Sequence, residues 1–449
     1  MRLTILGGGG FRVPLVHRAL LDDARRDAPG RCTELVLYDT DSTRARVIAS
    51  VLATQSAGVR GAPSVRIADD LDQALRGADF VFSAIRVGGT AGRVMDERIP
   101  LSEGVLGQET VGAGGVLYGL RTVLVALDIA ERVAAVAPDA WVINFTNPAG
   151  MVTEAMSTVL GDRVIGICDS PVGLVRRATR ALGGADPDRV TFDYVGLNHL
   201  GWLRTLTVDG RDRLPELLAD ERALSSFEEG RLFGAEWLRA LGSLPNEYLH
   251  YYYFRRETLR SVQEAAKTRG EFLDQQQSGF FRDAAAAPHR SYELWERTRL
   301  QREVTYMAES RAASGGWQRD TCDLDGGGYD RVALALMRAV AADEGARLIL
   351  NVRNGLTVPA LDPEAVIETV CVVDARGAHP VAATRLREDQ LGLMLQLKAV
   401  ERATIQAAVH EDRDAALRAL ALHPLVDSPA VAARILARAQ GAKSAAAVG

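Results

Sequence analysis

Short apolar runs alternate with longer stretches of helical periodicity along the first part of the chain. The apolar runs have the length of buried strands, and polar or glycine-rich residues follow them. Strand and helix in alternation are typical of a parallel sheet covered by helices. We therefore predict an α/β domain over residues 1–200, with strands at Arg2–Leu6, Glu34–Tyr38, Phe80–Ala84, Ala140–Ile143, Val164–Ile167 and Phe192–Val195.

The alternation ends after residue 200. Trp202–Val208 has the pattern of an antiparallel strand, and residues 214–313 are mainly helical and rich in charge. The remaining predictions are a glycine-rich loop, a helix, two strands and a long helical stretch, at Ala308–Gly328, Tyr329–Asp343, Ala346–Val352, Val366–Asp374 and Leu391–Ala421. Since no low-complexity linker separates the two parts, we predict a second domain over residues 201–449, interwoven with the first.

The chain opens with a strand, a glycine-rich turn and a helix. Gly7 to Gly10 follow the strand directly, and the helix runs over Val13–Leu21. Glycines here let the backbone approach a pyrophosphate, which binds the free N–H groups of the helix N-terminus. The second strand ends at Asp39, whose carboxylate can accept hydrogen bonds from an adenosine ribose. The pattern predicts a Rossmann-type site that prefers NAD to NADP, although Arg12 occupies the place of the third glycine.

Polar residues stand at the ends of later strands. Residues 144–148 read Asn-Phe-Thr-Asn-Pro, Cys168 and Asp169 follow another strand, and His199 follows a third. Strand ends form the sheet edge at which α/β proteins keep their sites. A thiol and an imidazole presented there could share a soft or borderline divalent metal, with Asp169 acting on what the metal holds. The alternative is that Cys168 is a small buried hydrophobe and His199 a satisfied polar residue.

Two further stretches carry candidate chemistry. Arg86 and Arg93 lie in a polar loop, residues 85–97, that follows a strand. Arginines suit an anionic group, and a solvated surface loop is the alternative. Residues 246–254 are rich in tyrosine, and such clusters are more often packing than chemistry. Tyr248 shares a helical face with a tyrosine three or four positions later, so one hydroxyl could point into a cleft.

Composition narrows the function classes. The chain has 449 residues, a net charge of −5, 47% hydrophobic and 25% charged residues, as expected of a soluble globular protein with two lobes. The absence of a basic run predicts no nucleic-acid partner, and no apolar run reaches the roughly 18 residues of a membrane span. The N-terminus has no signal-peptide pattern, and the four scattered cysteines do not suggest a disulfide framework. We expect a cytoplasmic protein without a membrane partner.

These segments, taken in order, resemble glycoside hydrolase family 4, the NAD- and metal-dependent glycosidases. The resemblance covers nearly the whole chain. Besides the glycine-rich start and the tyrosine cluster, it rests on Arg86-Val87-Gly88-Gly89, Arg93-Val94-Met95-Asp96-Glu97, Gly107-Gln108-Glu109-Thr110, Asn144-Phe145-Thr146-Asn147-Pro148, Cys168-Asp169-Ser170-Pro171, Gly196-Leu197-Asn198-His199 and Arg353-Asn354. It implies a Rossmann-type NAD-binding domain followed by a lactate/malate-dehydrogenase-like α+β domain, in a homodimer or homotetramer. This family does not use the carboxylate pair common to glycosidases.

The resemblance implies an elimination assisted by oxidation. NAD⁺ takes a hydride from C3 of the sugar, and a divalent metal, usually manganese, polarises the oxygens on C2 and C3. A tyrosine then removes the acidified C2 proton and the aglycone leaves C1. Water adds and the hydride returns, so that NAD is regenerated in each turnover.

Each role falls on a residue of this chain by position. The metal ligands match Cys168 and His199, the base matches Tyr248, and Glu109 matches the acid thought to raise its basicity. Asp169 matches the general acid of the α-glycosidases, where 6-phospho-β-glucosidases carry asparagine. The cofactor-binding residues are expected to be Gly7, Gly9, Gly10, Phe11, Arg12, Asp39, Arg86 and Asn147, and the substrate-binding residues Arg93, Asn147 and Asn198.

The implied substrate is a glucoside with an anionic group at C6. Gly107-Gln108-Glu109 and Thr268-Arg269-Gly270-Glu271 resemble members that act on phosphorylated sugars. Two segments depart from them: the start of typical phospho-β-glucosidases, Gly-Gly-Ser-x-Tyr-Thr-Pro, reads Gly9 to Pro14 here with Arg12 inside it, and a phosphate-binding Arg-Gly-Gly reads Gly326-Gly327-Gly328. A 6-phosphate and a C6-sulfonate, as in sulfoquinovosides, both remain open, and the aspartate after the metal cysteine favours an α-linkage.

Two other function classes remain open. A lactate- or malate-type hydroxy-acid dehydrogenase shares the fold and would form NADH with each turnover, whereas the glycosidase forms none. A non-catalytic NADH-responsive regulator would bind the dinucleotide without turning over a glycoside. A DNA-reading helix or a basic patch would support the regulator, and the sequence has neither.

Overall fold

The structure is a computed structural model that describes residues 1–28, 30–320, 323–324 and 328–448. Its strands are β1 Arg2–Leu6, β2 Glu34–Tyr38, β3 Ser64–Ile67, β4 Phe80–Ser83, β5 Trp141–Asn144, β6 Val164–Gly166, β7 Val190–Leu197, β8 Leu200–Val208, β9 Arg211–Asp212, β10 Leu244–Pro245, β11 Ala346–Arg353, β12 Val366–Asp374 and β13 Gly377–Pro380. Its helices are α1 Val13–Arg25, α2 Ser42–Ser56, α3 Leu71–Leu75, α4 Gly89–Ser102, α5 Gly112–Val136, α6 Ala149–Leu160, α7 Ser170–Ala181, α8 Leu214–Ala219, α9 Glu221–Leu224, α10 Glu228–Phe233, α11 Ala235–Leu241, α12 His250–Tyr253, α13 Arg255–Glu264, α14 Arg269–Ala286, α15 Ser291–Val304, α16 Ala308–Ala313, α17 Tyr329–Ala342, α18 Glu388–His410, α19 Arg413–Leu422 and α20 Pro429–Val448.

These strands form one sheet in the order β10-β8-β7-β12-β11-β6-β5-β4-β1-β2-β3, with β9 beside β8 and β13 beside β12. The strands β1 to β6 are parallel, which gives the 3-2-1-4-5-6 order of dinucleotide-binding folds. Beyond β6 the sheet continues through the antiparallel strands β11, β12, β7 and β8. The predicted α/β architecture is confirmed.

The parallel strands are apolar along their length because helices cover both faces of this part of the sheet. In β1, Leu3 and Ile5 belong to the core under α1 and α2, whereas Leu6 belongs to the core under α5. Successive side chains of a strand point to opposite faces, so one short run of apolar residues serves both cores. The polar residues that follow each strand are left at the sheet edge.

The two predicted domains share the sheet and the core. β7 and β8 lie on either side of the predicted boundary at residue 200 and pair with each other. β11 and β12, which come much later in the chain, lie between β6 and β7. The indole N–H of Trp295 donates to the carbonyl oxygen of Phe11 at 2.8 Å. The parts are interwoven as expected, and the boundary itself stays a prediction.

The predicted polar loop over residues 85–97 is wrong for most of its length, because α4 begins at Gly89. Glycines and charged residues gave this segment the appearance of a loop. Three of those charged residues, Arg93, Asp96 and Glu97, are buried and ion-paired. Arg93 also pairs with Glu109, and Asp96 pairs with Arg121, both outside the helix. These tertiary ion pairs help to stabilise a helix whose sequence does not show an apolar face.

Two other predicted elements need correction. The predicted loop at 308–328 begins with the helix α16. The predicted helical stretch at 391–421 is two helices, α18 and α19. They are separated at Glu411, which adopts a left-handed φ of +53°.

α5 is the one helix in the described ranges that is long and apolar enough, by length and composition, to cross a membrane. Of its most apolar stretch, 67% is buried within the protein. It packs against α4, α6 and α18. A helix that is apolar on most sides is also what the centre of a globular core requires.

Candidate active site

One cleft of about 740 Å³ lies along the carboxyl ends of β1, β4, β5 and β6 and reaches the turn between β7 and β8. Parallel α/β sheets bind their ligands at this edge. The predicted site residues that line it are Gly7, Gly10, Phe11, Arg12, Asp39, Arg86, Arg93, Glu109, Asn147, Cys168, Asp169, His199 and Tyr248. Gly9 and Asn198 do not line it.

The glycine turn after β1 is packed too closely for side chains. Gly7 has a φ of +80°, and a Cβ there would lie 2.6 Å from the carbonyl oxygen of Ala84. A Cβ on Gly9 would lie 2.7 Å from the Cβ of Arg44, so Gly9 packs against α2 instead of facing the cleft. Among the described residues, no side chain caps the N-terminus of α1. The turn therefore presents backbone to the cleft, as a pyrophosphate site requires.

Asp39 lies directly after β2 and lines the cleft. Its Oδ2 accepts a hydrogen bond from the N–H of Gly9 at 2.8 Å, and its Oδ1 accepts from the N–H of Asp41 at 2.9 Å. Each carboxylate oxygen has a further lone pair, which a ribose hydroxyl can use. The preference for NAD over NADP stays a prediction.

Cys168 and His199 are brought to the same cleft by different elements. Cys168 follows β6, and His199 occupies the two-residue turn between β7 and β8 with a φ of +63°. Both are buried, and burial raises the pKa of the Cys168 thiol and lowers that of His199 to about 3. The Nδ1 atom of His199 is hydrogen-bonded to the hydroxyl of Thr110 at 3.1 Å, which leaves Nε2 available to a metal.

The chemistry of this donor pair fits a borderline divalent cation. Within the described ranges, no third histidine, cysteine or carboxylate joins the pair as a ready-made metal cluster. A metal held by Cys168 and His199 alone would keep several coordination positions free. Oxygen atoms of a bound ligand can fill them.

Tyr248 lies directly against the predicted metal ligand. Its ring stacks on the imidazole of His199, with 3.7 Å between the ring centroids and 6° between the ring planes. Its hydroxyl is 3.2 Å from the hydroxyl of Tyr306. Burial raises the pKa of Tyr248, and the negative charge of nearby Glu247 and Glu109 adds to the effect.

Glu109 is held between two arginines. Arg86 approaches one carboxylate oxygen and Arg93 the other, each at 2.7 Å. Burial by itself would raise the pKa of Glu109, but the two guanidinium groups lower it to about 2. Glu97 orients Arg93 at 2.8 Å and accepts from the N–H of Gly270 at 2.6 Å. Glu109 is therefore a fixed anion, and the two arginines predicted to meet ligands also neutralise it.

Asp169 faces Arg12 across the cleft. The Arg12 Nη1 and Asp169 Oδ2 atoms are 3.7 Å apart, and the Arg12 guanidinium lies 5.8 Å from the ring centroid of Phe145. The predicted general acid and the residue in place of the third glycine are thus neighbours. Asp169 precedes α7 and directly follows Cys168, the predicted metal ligand.

A cluster of arginines lines the cleft, formed by Arg12, Arg93, Arg269 and Arg302. Burial and the other arginines of the cluster lower the pKa of Arg302 to about 9, and burial and Arg93 lower that of Arg269 to about 10. Arg269 donates to the hydroxyl of Thr305 at 2.6 Å and to the carbonyl of Arg302 at 2.9 Å. In the described part of the chain, no carboxylate pairs with Arg269 or Arg302. This uncompensated charge suits an anion.

The two predicted amide ligands have different surroundings. Asn147 lines the cleft at the end of β5, where the Asn147–Pro148 peptide bond is cis. Asn198 instead donates to the carboxylate of buried Glu368 at 3.3 Å and faces a separate cavity of about 40 Å³. The Asn198 side chain points away from the cleft and towards the Glu368 carboxylate, which also accepts a hydrogen bond from Asn351. Substrate binding by Asn198 stays a prediction that this geometry does not favour.

Several residues of the site are not identified as such by the sequence analysis. Arg269 belongs to a segment that contributes to the family resemblance, but the resemblance assigns it no role. Arg302 and Tyr306 lie at the end of a charge-rich helical region, where neither composition nor spacing distinguishes them. Gly326 and Gly327, part of the altered phosphate-binding segment, and Cys322 lie outside the described residues. The other three cysteines are buried and free.

The sequence matches two models of one enzyme family. The model described as "Family 4 glycosyl hydrolase" matches residues 2–183, and that of the "Family 4 glycosyl hydrolase C-terminal domain" matches residues 194–426. The chain belongs to glycoside hydrolase family 4. The family prediction is confirmed, and with it the prediction of an enzyme of the glycoside hydrolase class.

Individual relatives span the full length of the chain. A probable 6-phospho-beta-glucosidase of Bacillus subtilis is 32% identical over 97% of this chain and 95% of the relative. A 6-phospho-alpha-glucosidase of Lacticaseibacillus paracasei is 29% identical over 97% of this chain and 95% of the relative. A relative described as a β-glucosidase and one described as an α-glucosidase are thus similar to this chain to nearly the same degree.

Solved structures show the same fold. The 6-phospho-beta-glucosidase of Thermotoga maritima with manganese, NAD+ and glucose-6-phosphate has a TM-score of 0.81 and 25% identity, and 98% of each chain is covered. The predicted cofactors are those bound in that structure. A malate dehydrogenase of Plasmodium falciparum, with a TM-score of 0.50 and 13% identity over 91% of this chain and 99% of the other, shares the fold alone. The predicted fold class is confirmed.

Proposed function

We propose that this enzyme hydrolyses α-linked glucosides that carry an anionic group at C6, with NAD and a divalent metal as cofactors. One observation carries the proposal: a single cleft joins the turn at Gly7, the pair of Cys168 and His199, and the arginine cluster. A dinucleotide, a metal and an anionic sugar would meet there. The relatives described as 6-phospho-glucosidases support the same substrate class.

The residues fit both cofactors. The glycine turn and Asp39 would hold NAD, which supplies a reversible oxidation of a sugar carbon when it is bound. The thiol of Cys168 and the neutral imidazole of His199 would hold the metal, which supplies positive charge that polarises sugar hydroxyl oxygens. With C3 of the sugar oxidised to a ketone, the proton on C2 becomes acidic.

Tyr248 is the proposed base for the C2 proton. Its stacking on His199 places the phenol beside the metal ligand, and the bond to Tyr306 fixes its hydroxyl. Glu109 is a permanent anion in the same cleft, which makes the phenolate of Tyr248 a stronger base. Removal of the C2 proton expels the group on C1, and water then adds to the resulting double bond.

Asp169 is the proposed general acid. A carboxylic acid beside the glycosidic oxygen can protonate the leaving alkoxide, which contributes roughly 10²–10⁴-fold to the rate. Arg12 lies 3.7 Å from the carboxylate and holds it on the cleft side of the thiol. This placement beside the thiol supports an α-linkage.

The arginine cluster is the proposed site for the group at C6. Arg269 and Arg302 carry charge without a carboxylate partner in the described residues, and a phosphate or sulfonate would supply one. Planar guanidinium groups bind such oxygens in pairs of hydrogen bonds. The two anions share this chemistry, and substrate assays separate them.

The test is a comparison of aryl and alkyl glucosides with NAD⁺ and Mn²⁺ added. The substrates differ in their linkage, which is α or β, and in the group at C6, which is a hydroxyl, a phosphate or a sulfonate. We expect turnover of an α-glucoside with one of the two anions and little turnover of the uncharged glucoside. Preference for β-glucosides would remove the acid role from Asp169, and preference for the uncharged sugar would remove the role of the arginines.

The amount of NADH formed per substrate consumed distinguishes the proposed glycosidase from the hydroxy-acid dehydrogenase. A hydroxy-acid dehydrogenase accumulates one NADH for each substrate consumed. The proposed reaction returns the hydride, so free sugar should form without net NADH. Absorbance at the NADH band, followed together with sugar release, distinguishes the two.

A further inference from the structure

A chain of hydrogen-bonded side chains leads from Tyr248 away from the cleft. The hydroxyls of Tyr248 and Tyr306 are 3.2 Å apart, and the Tyr306 hydroxyl lies 3.3 Å from Oε1 of Glu247. The hydroxyl of Ser170 donates to the same carboxylate oxygen at 2.8 Å. Tyr306 lines the cleft, whereas Glu247 lies behind it. The cleft is thus connected to a buried carboxylate through two phenol groups.

Glu247 is an under-satisfied carboxylate. It is 6% exposed, and its Oε2 atom has no hydrogen-bond partner among the described residues. Arg177 acts on it from a distance, but the guanidinium is hydrogen-bonded to Glu229 at 2.9 Å. Burial raises the pKa of Glu247, since a low-dielectric environment penalises the charged form. Such a group accepts a proton more readily than an exposed glutamate.

The positions of the two tyrosine rings do not depend on this chain of hydroxyls. The Tyr248 ring is stacked on His199, and the guanidinium of Arg319 lies 5.2 Å from the ring centroid of Tyr306. Removal of the Tyr306 hydroxyl therefore leaves both rings in place. A purely structural role predicts almost no effect of that change on the reaction.

The proposed base faces a chemical difficulty. A neutral phenol cannot hold a second proton, so Tyr248 can take the C2 proton only if its own proton departs. A proton acceptor that Tyr248 reaches through hydrogen bonds can take this displaced proton.

We propose that Tyr306 and Glu247 form a proton relay, in which the carboxylate of Glu247 is the final acceptor of the proton displaced from Tyr248. The inference rests on the proposed function. The C2–H bond breaks as a new O–H bond forms on Tyr248, the original Tyr248 proton moves to the Tyr306 oxygen, and the Tyr306 proton moves to Oε1 of Glu247. The electron pair of the C2–H bond forms the C1–C2 double bond, and the bond from C1 to the leaving group breaks. When water adds, the relay runs backwards and Tyr248 returns one proton to C2, so no net proton is stored. The Tyr248 hydroxyl faces the cleft and exchanges with solvent before this return, so the proton delivered to C2 comes from solvent.

The test uses the conservative variants Tyr306→Phe and Glu247→Gln of the full-length enzyme with NAD⁺ and Mn²⁺. Tyr253→Phe is the matched control, because it removes a partly buried hydroxyl that accepts from the indole of Trp202 at 3.0 Å and does not line the cleft. Turnover is measured with substrate deuterated at C2 and, separately, at C3. NAD affinity is measured by titration.

We expect both relay variants to lower kcat by roughly 10²–10⁴-fold, the range of a general-base contribution, with KM and NAD affinity nearly unchanged. The isotope effect from C2 should rise and that from C3 should vanish, because proton removal becomes the slow step. Enzyme-bound NADH should accumulate transiently. Tyr253→Phe should resemble the wild type in all of these measurements.

Two outcomes overturn the relay. Wild-type kcat and isotope effects in Tyr306→Phe or Glu247→Gln would show that the hydroxyl and carboxylate take no part in proton transfer. A raised KM with an unchanged isotope pattern would indicate a structural effect instead. Failure of the proposed function itself is recognised separately, since the wild-type enzyme would then release no sugar from any glycoside and show no isotope effect from C2.

Discussion

The imidazole of His199 lies flat on the ring of Tyr248, with 3.7 Å between centroids and 6° between planes. The predicted metal ligand and the predicted base therefore support each other through their ring faces. The phenol hydroxyl is not part of this contact. A substitution of Tyr248 by phenylalanine therefore removes the hydroxyl and keeps the ring stack on His199.

Tyr248→Phe should lower kcat for alkyl and nitrophenyl glycosides alike, by roughly 10²–10⁴-fold, because C2 deprotonation precedes departure of either group. Metal binding should persist, since the ring stack on His199 is retained. Deuterium incorporation at C2 from heavy water, measured by NMR of the product, should be present in the wild type and nearly lost in the variant. Product without deuterium at C2 from the wild-type enzyme would exclude elimination.

Asp169→Asn should slow alkyl glycosides far more than nitrophenyl glycosides. An alkoxide is a poor leaving group and needs a proton, whereas a nitrophenolate leaves without one, so the general-acid contribution of roughly 10²–10⁴-fold applies to the alkyl substrates only. The ratio of kcat/KM for the two substrates in each enzyme is the measurement. An equal loss for both would mean that Asp169 acts through its ion pair with Arg12 and not as the acid.

Cys168→Ser should remove metal-dependent activity while NAD binding stays intact. Loss of a direct ligand should exceed the 10–100-fold typical of losing an outer partner of a metal ligand. Cys32→Ser is the control, because Cys32 is also buried but is absent from the cleft lining. Activity with and without Mn²⁺, and NAD titration, are compared for both variants. Full turnover of the wild type in a strong chelator would contradict the metal assignment.

Arg302→Gln should raise KM for 6-anionic glucosides roughly 10- to 100-fold, since a hydrogen bond to a charged group contributes about 1.5–3 kcal/mol. Arg297→Gln is the matched control on the same helix, with an exposed side chain that does not line the cleft. Residual activity on the uncharged glucoside should be equal in the two variants. An equal loss on charged and uncharged sugars would place the C6 anion elsewhere.

The order of chemistry along the chain could be read from the sequence because each functional group follows a strand. Asp39 and Cys168 follow the parallel strands β2 and β6, whose carboxyl ends share one edge of the sheet. Local patterns therefore predict a common site for these two residues, although they are far apart in the sequence. His199 follows β7, which runs antiparallel to β6, so its approach to the same cleft depends on the tertiary structure. The glycine turn is equally local, because its conformation depends on consecutive residues.

Contacts between distant helices could not be read in this way. α4 looks like a loop because Arg93 and Asp96 pair with residues outside the helix, which they meet only after folding. Asn198 likewise donates to Glu368 in the antiparallel part of the sheet. Arg302 and Tyr306 reach the cleft from a helical region whose sequence has no strand-end pattern. Nothing within a few residues of them distinguishes a cleft position from an exposed one.

The sequence by itself determined the parallel sheet, the dinucleotide turn and the position of Asp39 and Cys168 at one edge of the sheet. Those features follow from periodicity and from residues that are local to each strand end. Only the tertiary structure decided that two arginines hold Glu109 and that His199 reaches the cleft of Cys168. It also decided that Arg269 and Arg302 enter the cleft without a carboxylate partner among the described residues, and that Tyr248 connects through Tyr306 to Glu247. The physical reason is that ion pairs and buried hydrogen bonds depend on distances between elements, which the local pattern of the chain does not contain.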